Sequence, residues 1–374
     1  MSEGLYVHIP FCAKRCHYCD FNTYEGMEGL APDYVEALKR DLELAAGPAQ
    51  PLRSVFFGGG TPSLLSAPQI KEILDAVRAR CGLLPNAEIT LEANPGTADL
   101  AKFAGFRAAG VNRLSFGFQA KQDKHLLALG RIHDAAQSGE AWRLARAAGF
   151  DNLSLDLMFG LPEQSAEEWR ESLQWALAFR PEHLSFYGLT IESGTRYHYL
   201  QSQGQLPLPG EDLQADMYAE GIQRLAAAGL GQYEISNFAK PGRESVHNRL
   251  YWRNRETLGI GAGAWSYVAG NRFMREKNPP LYMEAIRQGR IPATENEHLE
   301  GLEARGEAIY LGLRMLEGID LEAWKSEKGL DLMGEFAAPA EEMLALGLLA
   351  QTENRLHLTP KGLPLANRVF SAFL

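Results

Sequence analysis

The stretch YVHIPFCAKRCHYC, residues 6–19, decides how this chain is read. Its first half belongs to LYVHIP (5–10), rich in β-branched and aromatic residues, and predicts a strand. Its second half is a loop that carries Cys12, Cys16 and Cys19. Thiolates favour zinc and iron–sulfur clusters. A structural zinc site takes four ligands, usually as two separated pairs, and no second pair follows here. His17 directly follows Cys16, and adjacent side chains rarely converge on one ion. A [4Fe–4S] cube takes one thiolate per iron. Three cysteines on one loop therefore hold three irons and leave the fourth open to a non-protein ligand. Only Cys81, in the helical run VRARCG, lies outside the loop, and it reads as a small buried hydrophobe.

The chain has 374 residues, enough for one large domain with an appendage or for two or three smaller ones. Acidic residues outnumber basic ones by 47 to 37, a net charge of −10, which argues against a nucleic-acid partner held by bulk phosphate neutralisation. MSEGLYVHIPF has no basic segment followed by an apolar core, so no secretory signal is expected. No apolar run approaches the ~20 residues of a spanning helix, so any membrane contact is expected to be peripheral. With no disulfide framework, a reducing cytoplasm fits the cysteine usage.

Strand-like and helical segments alternate over the first 230 residues. The strands are expected at LYVHIP, SVFFGG (54–59), EITLEA (88–93), RLSFGF (113–118), NLSLDLMFG (152–160) and HLSFYGLT (183–190). Helical periodicity runs through residues 33–46, 68–80, 167–179 and 212–229. Six such units predict an α/β fold, an open partial (β/α)6 barrel over residues 1–230, with a flat doubly wound sheet as the alternative. Residues 231–292 are polar, aromatic and glycine-rich, and read as a bridging β region laid against the barrel. From about Ala293 the chain is expected to turn helical, and a hairpin near Glu353 and Asn354 then suggests a small winged-helix-like unit over residues 293–374.

In a βα barrel the chemistry collects where strands end. The six strand ends carry the cysteines, GGGTP (58–62), Glu92 of EANP, Gln119 of SFGFQ with Arg131 of GRIH beyond, Asp156, and Thr190. Any one of these has a bland reading, since glycines turn loops and charges cap helices. Six together point at one mouth.

Cys12-x3-Cys16-x2-Cys19 after a first strand resembles the signature of the radical S-adenosylmethionine (SAM) superfamily. YVHIPFC, FGGGTPS, EANP, SFGFQ, LGRIH, DLMFGLP and HNRLYW extend the likeness to its coproporphyrinogen dehydrogenase-like branch. That resemblance implies that the open iron is chelated by the amino and carboxylate groups of SAM, whose cleavage gives a 5′-deoxyadenosyl radical. It implies that Tyr6 sits beside cluster and SAM, and that Gly59, Gly60 and Thr61 admit the methionine portion. Glu92, Gln119, Arg131, Asp156 and Thr190 then complete the SAM site. Asp156 suits ribose hydroxyls as an acceptor, and Arg131 suits the SAM carboxylate through its fork of donors.

Within this branch stand a dehydrogenase, which decarboxylates coproporphyrinogen III, and a heme chaperone, which binds heme and hands it to respiratory proteins. The dehydrogenase carries a further cysteine where this chain has Phe21, and a long extension before the first strand where only a few residues precede Leu5. HNRLYW (247–252) matches a motif tied to heme handling in the chaperones. The resemblance therefore implies a cytoplasmic heme chaperone with SAM cleavage, the dehydrogenase being the alternative. His247 and Tyr251, four apart on one helix face, are the candidate heme ligands; packing of the bridging region is their bland reading, and His8 and His133 compete for the role.

Changing Cys12, Cys16 or Cys19 to Ser is expected in each case to abolish the brown colour of anaerobically reconstituted protein. About four irons and four sulfides per wild-type chain is the matching analysis. A colourless, zinc-bearing wild type contradicts it.

Overall fold

The computed structural model describes residues 2–45, 50–97 and 99–374. Six parallel strands run in chain order across the sheet: β1 (Gly4–Ile9), β2 (Leu52–Gly59), β3 (Leu83–Ala93), β4 (Arg113–Gln119), β5 (Leu153–Phe159) and β6 (His183–Gly188). Helices return the chain between them: α1 (Ala31–Leu44), α2 (Ala67–Cys81), α3 (Leu100–Ala109), α4 (Asp123–Leu129), α5 (Ala135–Ala147) and α6 (Ala166–Ala178). Ala46, the last residue of the helix expected over 33–46, lies outside the described residues.

Strict alternation gives each strand two unlike faces. Leu5, Val7 and Ile9 of β1, Val55 and Phe57 of β2, and Leu114 and Phe116 of β4 are sealed in the apolar core that includes α1 to α3. The other face is polar: Thr90 pairs in register with Arg113, Glu92 with Ser115, and Gly117 with Asp156. Ser66, Asp134 and Ser165 cap α2, α5 and α6, each through a reciprocal bond with the residue three positions on. The caps start each helix promptly, which brings the chain back to the sheet.

Beyond β6 come α7 (Arg196–Ser202), α8 (Glu211–Ala227), β7 (Gly231–Glu234) and β8 (Asn237–Ala239), with β8 antiparallel on β6. At the opposite edge β9 (Thr257–Ile260) lies parallel to β1, followed outward by β10 (Trp265–Val268), β11 (Asn271–Arg275) and, after helix α10 (Pro279–Arg287), β12 (Ala293–His298). The helical expectation from Ala293 is thus wrong at its start: Ala293–His298 pairs with β11 as an edge strand, and the next helix, α11 (Gly301–Leu313), begins after it. All six residues of β12 are exposed, so no apolar alternation marks the strand in sequence.

Between β8 and β9 the HNRLYW segment forms α9 (Val246–Trp252), which packs against β2 on the polar face of the sheet. Glu88 of β3 accepts the amide hydrogens of Val246 and His247, an anion on the first turn of α9. After α11, the chain adds α12 (Leu321–Lys328) and a three-stranded sheet, β13 (Ile319–Asp320), β14 (Leu349–Thr352) and β15 (Arg355–Leu358), around a separate core that includes Ile309, Trp324 and Phe370. Arg314 joins this unit to the rest: it pairs with buried Glu234 at 3.4 Å and lies 4.1 Å over the Trp252 ring.

One buried ion pair pins the bridging strands to the barrel. Asp41 of α1 and Arg275 of β11 are both fully buried, 3.0 Å apart, and Tyr282 donates to the same carboxylate. Arg275→Met is expected to destabilise the chain by about 3–5 kcal/mol, because it strands a buried carboxylate. Pairing it with Asp41→Asn should recover part of the loss. Urea unfolding measures both, and a cost below about 1 kcal/mol for the single change contradicts the assignment.

Candidate cofactor and ligand site

The cysteine loop is held by the backbone that follows β2. Gly60 N–H donates to the Ile9 carbonyl and Thr61 N–H to the Phe11 carbonyl, each at 2.8 Å. A Cβ on Gly60 would stand 2.6 Å from the Phe11 carbonyl oxygen, so only glycine lets these segments meet. Gly59, at φ +107°, leaves room for the His8 ring in the same way. Thr61 Oγ1 donates to Cys12 Sγ at 3.7 Å, and an Arg131 N–H reaches Cys16 Sγ at 3.6 Å. On the far side of the loop, the Asn22 amide donates to the carbonyls of Ala262 and Lys277. His17 turns away from the thiols, its Nδ1 bonded to the Ala128 carbonyl at 2.9 Å.

The three cysteines open onto a chamber of about 270 Å³ at the carboxyl ends of the strands. Gly59, Gly60, Thr61, Glu92, Gln119, Arg131, Asp156 and Thr190 line it too, so eight of the nine expected SAM residues meet the cysteines there. Tyr6 does not. It lines a neighbouring cavity instead, with its hydroxyl 3.1 Å from His8 Nδ1. It stands three residues before the end of β1, and Arg15 of the cysteine loop lines the same cavity.

Arg131 also differs from expectation in detail. It reaches the chamber, but one terminal nitrogen already donates to the Gly117 carbonyl at 2.7 Å and to Asn94 Oδ1 at 3.0 Å. Its fork is largely spent on the protein, and buried Nε alone has no partner. Gln119 enters the mouth through an irregularity in the β4–β5 register and a left-handed backbone at φ 65°. Tyr18, Asn94 and Tyr187 complete the wall and were not singled out from sequence. Asn94 and Tyr187 lie within stretches already expected at strand ends, EANP and HLSFYGLT, whereas Tyr18 sits among the cysteines with no pattern to mark it.

The chamber is electrostatically unusual. Glu92 touches the cavity yet is surrounded by protein, and desolvation, reinforced by Asp156, raises its carboxyl to about 8. Burial likewise lifts Asp156 to about 6. Burial pushes the Cys12 thiol up to about 11, a cost that iron coordination reverses, since a bound thiol is deprotonated. Among the described residues no three Cys, His, Asp or Glu side chains converge where one ion could sit. Three thiols lining one chamber fit a cube on which each takes its own iron.

A second cavity, of about 870 Å³, adjoins the first and shares Gly59, Glu92, Phe21 and Thr23 with it. Tyr6, Tyr24, Tyr251, Trp265 and Tyr267 supply aromatic walls, and Arg15, Arg255, Arg272 and Lys277 supply cations. Of the expected heme ligands, Tyr251 faces this cavity and His247 does not. His247 is 1% exposed, bonded through Nδ1 to Ser54 Oγ and through Nε2 to the Tyr251 hydroxyl. His8 lines the cavity with both ring nitrogens engaged, and His133 is buried and borders neither space.

The chain is similar to known proteins along its whole length. Residues 6–176 match the model of the radical SAM superfamily, and residues 299–365 match the HemN C-terminal domain. The chain is 38% identical to the heme chaperone HemW of Bacillus subtilis, covering 100% of this chain and 99% of that protein. It is 38% identical to HemW of Escherichia coli, covering 99% and 98%. A mitochondrial radical S-adenosyl methionine domain-containing protein 1 of mouse is 39% identical over 99% of this chain and 87% of its own. The solved structure of E. coli coproporphyrinogen III oxidase, HemN, superposes with a TM-score of 0.84 at 24% identity, over 99% of this chain and 89% of that one, and shares the fold. The chain belongs to the radical SAM superfamily and, within it, to the HemW family. That membership brings a [4Fe–4S] cluster and SAM as cofactors.

Because Glu92 keeps its proton up to about 8 in the folded chain, against 4.5 for an ordinary glutamate, the folded state binds the extra proton between those values. Stability of the cofactor-free chain should therefore fall as pH rises from about 5 to 8 and level off above. Glu92→Gln is expected to flatten that slope in thermal unfolding. An unchanged slope contradicts the assignment.

Proposed function

We propose that this chain is a heme chaperone: it binds heme in the larger cavity and passes it to heme-requiring, respiratory proteins from the cytoplasm. Cys12, Cys16 and Cys19 are the ligands of its [4Fe–4S] cluster. SAM occupies the smaller chamber, its methionyl end against the Gly59–Thr61 backbone and its ribose toward Asp156. Cluster and SAM supply one-electron chemistry there, while the protein orients them and limits water.

The observation that carries the heme reading is the second cavity. Its volume of about 870 Å³ is in the range of ligand pockets, ~300–1,000 Å³. Aromatic faces beside Arg15 and three further cations, Arg255, Arg272 and Lys277, each of the three also paired with a carboxylate of the chain, fit a flat apolar macrocycle that ends in carboxylates. The full-length likeness to proteins named heme chaperone supports the same reading. Among the described residues no helix is long and apolar enough to cross a membrane, which supports a peripheral mode for any membrane contact.

Titrating the purified chain with ferric heme tests the proposal. The expected result is a shifted Soret band that saturates at one heme per chain, together with no protoporphyrinogen when reduced protein, SAM and coproporphyrinogen are combined anaerobically. Failure to bind heme, or turnover of coproporphyrinogen, overturns it.

A further inference from the structure

The cysteine loop builds part of the wall between the two cavities: Arg15, Asp20, Phe21 and Thr23 line both of them. Arg15 stands between Cys12 and Cys16 and is exposed. Its backbone N–H donates to Glu25 at 3.1 Å, and one terminal guanidinium nitrogen donates to the carbonyls of Cys19 and Phe21 at 3.2 and 3.3 Å. Those bonds lay the side chain back across its own loop. Among the described residues, Nε and the other terminal nitrogen have no partner, and no carboxylate side chain pairs with the guanidinium.

The other cations of the larger cavity are already engaged. Arg272 pairs with Glu307 at 2.6 Å, Arg255 with Glu327 at 3.2 Å and Lys277 with Glu295 at 3.2 Å. An incoming carboxylate must share or displace a carboxylate of the chain at each of those three. At Arg15 it gains a charge-assisted hydrogen bond without that competition. Phe21, whose carbonyl Arg15 holds, leaves its side chain 62% exposed on the same wall. A cation with free donors beside an uncovered aromatic ring suits the edge of an apolar macrocycle that carries a carboxylate.

We infer that Arg15 is the specificity-determining residue for the carboxylate of the bound heme, with Phe21 covering the adjoining edge of the macrocycle. The inference rests on the heme reading above. It places one edge of the heme against the loop that bears the three cysteines, so a single segment holds groups for both cavities.

The test is Soret titration of the full chain with ferric heme and with its dimethyl ester, in which both carboxylates are masked. The wild type is expected to bind heme at least about fivefold more tightly than the ester. Arg15→Gln should weaken heme binding to the level of the ester and leave ester binding unchanged, while Arg15→Lys keeps part of the preference. Arg272→Gln should alter the preference less than Arg15→Gln does. Each chain is titrated with and without its cluster, so that a cluster lost from a variant is not mistaken for a lost contact. Equal binding of heme and ester by the wild type overturns this inference alone, as does a preference that survives Arg15→Gln. A wild type that binds neither compound overturns the heme reading, and this inference with it.

Discussion

Two main-chain hydrogen bonds, from Gly60 to Ile9 and from Thr61 to Phe11, join the turn after β2 to the start of the cysteine loop. They need no particular side chain on the loop, only a glycine thin enough to let the two backbones touch. Through them a parallel pair in the middle of a 12-stranded sheet determines where Cys12 stands. Arg131 then grips Cys16, and Asn22 ties the end of the loop to the bridging region. A loop of mixed polar residues is thus held from three directions, and its thiols face a chamber without collapsing onto one another.

The polar face of the sheet does two jobs along its length. Toward the carboxyl ends of the strands it presents Glu92, Gln119 and Asp156 to the smaller chamber. Lower down, Glu88 and Ser54 receive α9, so the helix that bears Tyr251 is seated on the same strands that build the cofactor chamber. Glu92 and Gly59 stand in both cavities. The raised pKa of Glu92 follows from this place between them: protein surrounds it and Asp156 repels its charge.

Much of this was legible in the sequence, for identifiable reasons. All six parallel strands could be read because each buries one face against helices and turns the other inward, which writes a period of two into the residues. The strand-end residues were legible because topology alone brings such positions to one mouth. Three features were not. Ala293–His298 buries nothing, so it leaves no periodic trace and reads as anything but a strand. Tyr6 lines the larger cavity and not the chamber that holds the cysteines, because alternation tells which face a residue takes but not how far along the barrel two chambers divide. Arg131 sits where expected, yet its partners, Gly117 and Asn94, come from separate parts of the chain, and no local pattern reveals that its fork is occupied. The burial of His247 is a tertiary fact of the same kind.

The claim on which the rest stands is that three loop thiolates leave one iron open to a small ligand beside the strand ends. EPR of the anaerobically reduced, reconstituted protein, recorded before and after adding SAM, addresses it most directly. The expected outcome is a [4Fe–4S] signal whose g values move on SAM addition. A reduced-cluster signal unchanged by saturating SAM contradicts the claim.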